Sequence, residues 1–151
     1  MGWWGHGIMA GDTPLDIEGD FVQKFGFEYH EDEPGFDWAK RIPGTKQLTV
    51  AKELIEWYGS YGGELVGQVL GFLIMDNGQP MTAEVRKLVL SSVDGELGYV
   101  DDDGWSDTSA RRSALEEFKA LVEKYPAEGV EVEMPEQEGL FDQLAQLLAA
   151  Q

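Results

Sequence analysis

The stretch from residue 64 to residue 76 is apolar on almost every side of a helical wheel, and it constrains the fold more than any other part of the chain. A helix of this kind is stable only when other elements cover it on all sides. The sequence therefore predicts a central helix at 64–76. Gly67 and Gly71 are four residues apart on it, and two such small residues would let a second helix approach its backbone closely. The apolar side chains are those of Leu65, Val66, Val69, Leu70, Phe72, Leu73, Ile74 and Met75.

Four further helices are predicted around this central one. Apolar residues recur with a helical period near 14–25, 47–58, 83–92 and 106–125. Thr13 and Thr82 are expected to cap the first and fourth of these predicted helices at their N-termini. Glycines from Gly59 onward end the helix at 47–58.

The last part of the chain is compatible with a sixth helix and with a short two-stranded ribbon. Residues 130–134 alternate as a half-buried strand does, and 97–100 is the candidate partner for that strand. Leucines and a phenylalanine at 140–148 predict an amphipathic helix that either closes the core, which we favour, or extends to a partner. The predicted fold is mainly α: one domain, residues 1–151, built as a compact bundle of five or six helices with at most a short two-stranded β ribbon.

Composition excludes several classes of protein. The chain has no cysteine, so it has neither disulfides nor thiolate metal sites. Its longest apolar run, 69–75, is far shorter than a membrane-spanning helix. No positively charged region precedes an apolar stretch at the N-terminus. We therefore expect a cytoplasmic protein without a membrane partner.

The net charge of −18 is concentrated at the two ends of the chain. Residues 1–37 carry −8, residues 38–92 carry +1, and residues 93–151 carry −11. Binding of nucleic acid requires Lys and Arg to neutralise phosphates, so direct binding of nucleic acid is not expected. Solubility alone asks for a net charge of only about 2 to 8. The excess predicts a basic partner.

Acidic side chains at regular spacing on helices can imitate the phosphates of duplex DNA, which lie about 1.7 Å apart along its axis. The leading hypothesis is thus a non-enzymatic protein that blocks a basic surface, as DNA-mimicking anti-defence proteins and immunity proteins do. The expected partner is a nucleic-acid-binding protein. The candidate partner-binding residues are Glu31, Asp32, Glu33, Asp101, Asp102, Asp103, Asp107, Glu116, Glu117 and Glu123.

A metal site is the main alternative. Asp12, Asp16 and Asp20 recur every four residues, and His6 precedes them, so oxygen and nitrogen ligands for a divalent cation are present. A helix cap followed by a solvated acidic face explains the same spacing, and we favour it because no paired His or Glu-x-x-His motif supports the ligands. No cofactor is predicted unless this alternative holds.

Other chemistry has less support in the sequence. The run Asp101–Asp107 resembles a calcium loop, but with Gly104 in sixth place the first residue is Tyr99 and the twelfth is Ala110, neither of which is a ligand. Neither a nucleophile elbow nor a phosphate-binding glycine loop occurs. An enzyme is less expected than a binding protein. A third possibility is a housekeeping or structural domain whose acidic surface only keeps it soluble or reflects a saline habitat.

The opening Gly2-Trp3-Trp4-Gly5-His6-Gly7, followed by Asp12 and Asp16, resembles the N-terminus of a bacterial and phage domain of unknown function, DUF4259. That family begins with Met-Gly-x-Trp-Gly-x-Gly and an acidic helix. Two later features are compatible with that family. One is the apolar helix, and the other is a tryptophan, Trp105, that leads into a helix containing Arg111-Arg112. The acidic run from Glu128 to Glu138 is a departure from the pattern. The resemblance implies a helical domain from a bacterium or phage and assigns no activity.

Overall fold

Five α-helices dominate the part of the chain that the computed structural model describes, which comprises residues 12–25, 42–59, 63–99 and 108–129. No strand occurs in these four stretches, and none of the helices in them has the length and apolar character needed to cross a membrane. The prediction of a mainly α bundle is confirmed. In chain order the helices are α1 Asp12–Lys24, α2 Gly44–Tyr58, α3 Gly63–Asp76, α4 Ala83–Leu97 and α5 Thr108–Lys124.

Helix α3 is the centre of the bundle, as its apolar sequence predicts. Helices α1, α2 and α4 all pack against it. Its side chains fill the core together with those of the surrounding helices, because an all-round apolar helix is stable only inside such a packing. The buried apolar members on α3 are Val66, Val69, Leu70, Leu73, Ile74 and Met75.

The two glycines of α3 mark the place where α4 comes closest. A Cβ atom added to Gly67 would lie 2.5 Å from the Cβ of Ser92, and one added to Gly71 would lie 2.6 Å from Cγ1 of Val89. Real Cβ atoms do not approach neighbours this closely, so α4 can occupy its position only because both side chains are absent. The predicted close approach of a second helix is confirmed.

Helices α2 to α5 alternate in direction, and their contacts define two ends of the bundle. Gly95 of α4 lies beside Glu64 of α3, and Gly71 lies beside Val89. We call the region of Ile42, residues 76–82 and residues 125–129 the turn end. The opposite end contains the C-terminal residues of α2 and α4 and the first residues of α3 and α5.

Several predicted boundaries are corrected by the structure. Helix α1 begins at Asp12 rather than at Pro14, so Thr13 is already helical and is not the N-cap. Helix α4 continues to Leu97 instead of ending near residue 92, since Val93 and Glu96 extend its buried face. Helix α2 begins at Gly44 rather than at residue 47.

The structure has no strand at 97–99, so the possible ribbon between 97–100 and 130–134 lacks the first of its two strands. Leu97 is the last residue of α4, and Gly98 and Tyr99 form a turn whose N–H groups bond back to Asp94 and Glu96. Backbone groups used in this way are not available to a strand partner. Residues 130–134, the helix predicted at 140–148 and the tryptophan-rich N-terminus lie outside the described residues.

The caps at the start of α4 and at the end of α2 agree with the prediction. Thr82 Oγ1 accepts the N–H of Val85 at 3.2 Å and so caps α4, which confirms that prediction. Gly59 ends α2 with a φ of +58°, a backbone conformation that residues with a Cβ seldom adopt.

A buried polar network joins α3, α4 and α5. The guanidinium of Arg111 donates to both carboxylate oxygens of Glu96, at 2.6 and 2.7 Å, and to the side-chain oxygen of Gln68 at 3.0 Å. Gln68 Nε2 in turn donates to Glu96 at 2.9 Å. Every member has an opposite charge or a hydrogen-bond partner, which buried polar groups require. The network fixes how these three helices meet.

Candidate interaction surface

The turn end is held together by Gln79. Its side-chain oxygen accepts the N–H of Ile42 at 2.9 Å, and its backbone oxygen accepts the hydroxyl of Tyr125 at 2.7 Å. The N–H of Met81 donates to the carbonyl of Ala127 at 2.9 Å. The residues before α2 and the residues after α5 are thus both anchored on the turn between α3 and α4.

Two strongly acidic stretches of sequence are attached at this turn end. The stretch 26–41 has a net charge of −3, and the stretch 130–151 has −5. Phe25, just before the first stretch, has its carbonyl bound by the Lys46 ammonium at 3.2 Å. Ile42 follows that stretch, and Gly129, which precedes the second, packs directly against Gly78. The residues flanking both stretches therefore lie at one end of the bundle.

A third acidic stretch, 100–107, is attached at the opposite end and carries −4 in eight residues. It connects Tyr99, just after α4, with Thr108, the first residue of α5. The bidentate pair between Arg111 and Glu96 holds these two helix ends together. This buried network therefore fixes the distance between Tyr99 and Thr108, the two residues that stretch 100–107 connects.

The helical body itself is only moderately charged. The described residues contain fifteen acidic and nine basic side chains, a net charge of −6 over 91 residues. The other 60 residues contain fourteen acidic and two basic side chains, a net charge of −12. Two thirds of the net charge thus belongs to stretches that join or follow helices. The acidic side chains predicted on these stretches, which lie outside the described residues, are Glu31, Asp32, Glu33, Asp101, Asp102, Asp103 and Asp107.

Three predicted partner-binding residues, Glu116, Glu117 and Glu123, lie on α5 and are exposed. They are interspersed with basic side chains rather than forming an acidic stripe, since α5 also carries three bases outside the core, Arg112, Lys119 and Lys124. One base, Lys119, donates to Asp94 of α4 at 2.8 Å, and this hydrogen bond and the carboxylate charge raise the pKa of Lys119. The surface of α5 is therefore mixed in sign.

The surface where α1 meets α2 is acidic and partly aromatic. The hydroxyl of Tyr58 donates to Asp20 at 2.7 Å, and the Lys24 ammonium lies 3.3 Å from Glu53. Burial raises the pKa of Tyr58, and the hydrogen bond to Asp20 and the charges of Asp20 and Asp16 raise it further. Asp16 is exposed next to this pair.

The same part of α2 carries an aromatic residue that the sequence analysis did not select. Trp57 is 81% exposed, whereas the other exposed large apolar residues of the described helices and turns, Leu15 and Tyr99, are 39% and 37% exposed. The helical period gives no signal for this exposure. Trp57 is three residues after Leu54 and seven after Val50, both of which are buried, so periodicity alone would place it near the core.

The structure describes two of the three proposed metal ligands. Asp12 and Asp16 both lie on α1, and Asp16 is exposed, while His6 lies outside the described residues. Within the described stretches, no group of three or more His, Asp or Glu side chains is close enough to hold a metal ion. The metal site stays a prediction.

Glu18 is a second residue that the sequence analysis missed. It lies on α1, where that helix passes near Asp76 at the end of α3. Burial raises its pKa to about 7, and the negative charge of Asp76 adds to the shift. Glu18 therefore titrates in the neutral range, and the interface of α1 and α3 gains a negative charge as the pH rises.

Comparison of the chain with protein-family models, with curated proteins and with solved structures finds no match. The resemblance of the N-terminus to DUF4259 accordingly stays a prediction.

Proposed function

We propose that this protein is a non-enzymatic binding protein that uses clustered carboxylates to occupy a basic surface, in particular the nucleic-acid-binding face of another protein. One observation carries the proposal: a moderately charged helical body anchors stretches that hold two thirds of the net charge, two of them at the same end. Solubility needs no such concentration of charge.

Attachment of the acidic stretches to a helical body supports a role in binding. Carboxylates brought to one end of a rigid body produce a field that steers a positively charged partner toward that end. The residues flanking the stretches 26–41 and 130–151 lie at the turn end, and the two stretches together carry −8. Stretch 100–107, which joins the end of α4 to the start of α5, carries −4. On α5, Glu116, Glu117 and Glu123 would add contacts that neighbouring bases weaken.

The test is a titration of the full chain against a fluorescein-labelled deca-arginine peptide, followed by anisotropy. We expect binding at about 25 mM salt that weakens steeply toward about 150 mM, because exposed charges are screened over this range. The triple substitution Glu31→Gln, Asp32→Asn, Glu33→Gln should weaken binding by about tenfold, since each exposed pair is worth up to about 1 kcal/mol.

The matched control replaces the three exposed glutamates of α5, Glu116, Glu117 and Glu123, with glutamine. It removes the same number of charges from a surface of mixed sign and should reduce the affinity less. The protein should also displace duplex DNA from a basic DNA-binding protein, whereas a neutral protein of equal size should not. Absence of any salt-dependent binding to the peptide would refute the proposed function.

A further inference from the structure

We infer that Trp57 and the carboxylates beside it form a docking surface for an arginine-bearing segment of the basic partner. The surface comprises Trp57 and Glu56 of α2 and Asp16 and Asp20 of α1. The inference rests on the proposed function and adds to it a place on the helical body and a chemical group on the partner.

The position of Trp57 follows from two contacts between α1 and α2. Glu53, one helical turn before Trp57, lies 3.3 Å from Lys24 of α1. Tyr58, the next residue, donates to Asp20 of α1 at 2.7 Å. Side chains four residues apart lie on one face of a helix, so Trp57 stands on the side of α2 that borders α1. The two residues of α2 that contact α1, Glu53 and Tyr58, thus lie on either side of Trp57 along the helix, and its indole is 81% exposed.

The extent of exposure distinguishes Trp57 from ordinary surface residues. Single exposed apolar residues are common on proteins and need no explanation by themselves. At 81%, however, the indole gains almost nothing from the bundle, and Leu15 and Tyr99 keep much more of their surface covered. Tryptophan is enriched at the centres of protein interfaces, where it buries a large rigid surface at low entropic cost.

The charges around the ring select the partner. Asp16, Asp20 and Glu56 are acidic; Lys24, the sole base of α1, already lies against Glu53, and Lys52 of α2 is one helical turn before Glu56. Arginine fits this surface better than any other side chain, because its planar guanidinium stacks on an indole while its N–H groups donate to carboxylates. A purely apolar partner would have to desolvate these carboxylates without pairing them, which is costly.

The test again uses the full chain and the labelled deca-arginine peptide. We expect Trp57→Ala to weaken binding by about fivefold or more, which corresponds to a cation–π contact of about 1 kcal/mol. Trp57→Phe should lose less, because a weaker π face remains. Tyr99→Ala, which removes an exposed ring from another surface, is the matched control and should bind within about twofold of the wild type.

The salt dependence distinguishes the contribution of the indole ring to binding from that of the carboxylates. Trp57→Ala removes no charge, so the slope of affinity against salt should not change, whereas Asp16→Asn should lower that slope. In a ¹⁵N spectrum the Trp57 indole N–H, assigned from the Trp57→Phe variant, should shift as the peptide is added. A deca-lysine peptide should bind more weakly than deca-arginine and depend less on Trp57.

The outcomes are distinguishable. If the wild type binds deca-arginine with the expected salt dependence and Trp57→Ala binds equally well, the docking surface is wrong and the proposed function stands. If the wild type does not bind, both are wrong. If sedimentation shows a dimer that Trp57→Ala dissociates while leaving the peptide affinity unchanged, the surface joins two copies and the inference is overturned.

Discussion

Arg111 and Glu96 are the two charged residues buried within the described helices, 1% and 2% exposed respectively. Removing one partner of such a pair typically costs about 3–5 kcal/mol, because the other charge is left buried without compensation. Replacing the whole pair by apolar residues is often neutral. The network with Gln68 therefore acts mainly by selecting one arrangement of α3, α4 and α5, since any other arrangement separates the charges.

Glu18 should make the stability of the protein depend on pH. Its pKa is raised from 4.5 to about 7, chiefly by burial. Between these two values the folded protein retains a proton that the unfolded chain releases, so the free energy of unfolding falls as the pH rises through this window. Below pH 4.5 the effect is absent. We expect Glu18→Gln to be more stable than the wild type at about pH 8, by up to about 3 kcal/mol.

Urea denaturation of both proteins across the pH range measures this difference. Glu117→Gln, which changes an exposed glutamate of α5, serves as the control and should show no comparable gain. A difference between Glu18→Gln and the wild type that is constant from pH 4 to about pH 8 would contradict the assignment, since titration of Glu18 would then not contribute.

Among the elements, the contact between α3 and α4 sets the closest backbone approach, and glycines make it possible. An alanine at Gly67 would place its Cβ 2.5 Å from Ser92 Cβ, an atom that no change of rotamer can move. The helices would have to separate, and overpacking of this kind costs about 1–3 kcal/mol. We expect Gly67→Ala to lower the free energy of unfolding by about that amount, measured by urea denaturation with far-UV circular dichroism.

Gly19 of α1 supplies the matched control for this prediction. It is also a helical glycine, but a Cβ added to it would meet nothing within 4 Å. Gly19→Ala should therefore stabilise the protein by about 0.5–1 kcal/mol, because alanine favours the helix more than glycine does. The two substitutions should have opposite signs. Equal effects would mean that helix propensity, and not the contact with α4, determines the role of Gly67.

For the whole molecule, the distribution of charge decides between a binding protein and a domain adapted to saline surroundings. The described residues carry −6, and the larger share of the charge lies in the stretches between and after helices. The five described helices therefore carry the smaller share of the mutual repulsion among carboxylates. We expect the helices to persist at low salt, with a melting temperature that changes by less than about 5 °C between about 10 and 500 mM NaCl.

Circular dichroism during thermal unfolding measures this, and KCl in place of NaCl should give the same curve if screening is the cause. Loss of helix at about 10 mM salt would favour the housekeeping alternative, in which the acidic surface only adapts the protein to salt.

Much of the fold was predictable because it depends on periodicity. The all-round apolar pattern of 64–76 identified the central helix α3, and its glycines identified the place of close approach. Both features depend on residues within one helix, so they can be predicted from the local sequence. The same is true of the Thr82 cap, whose partner is three residues away.

The candidate site was less predictable. The sequence located the acidic stretches but not the fact that residues flanking two of them meet at the turn end, since Gln79, Ile42 and Ala127 are far apart along the chain. Trp57 differs from a buried tryptophan only in the direction it faces, and that direction depends on where α1 packs against α2.

The sequence by itself determined the helical class of the described residues, the central helix and the uneven distribution of charge, because hydrophobic period and composition are properties of the chain. Only the tertiary structure decided that Glu96 and Arg111 form a buried pair, that Glu18 titrates near neutral pH and that Trp57 is exposed. Burial and pairing arise when separate helices pack, and they change the energy of a charge or a ring far more than its local sequence does.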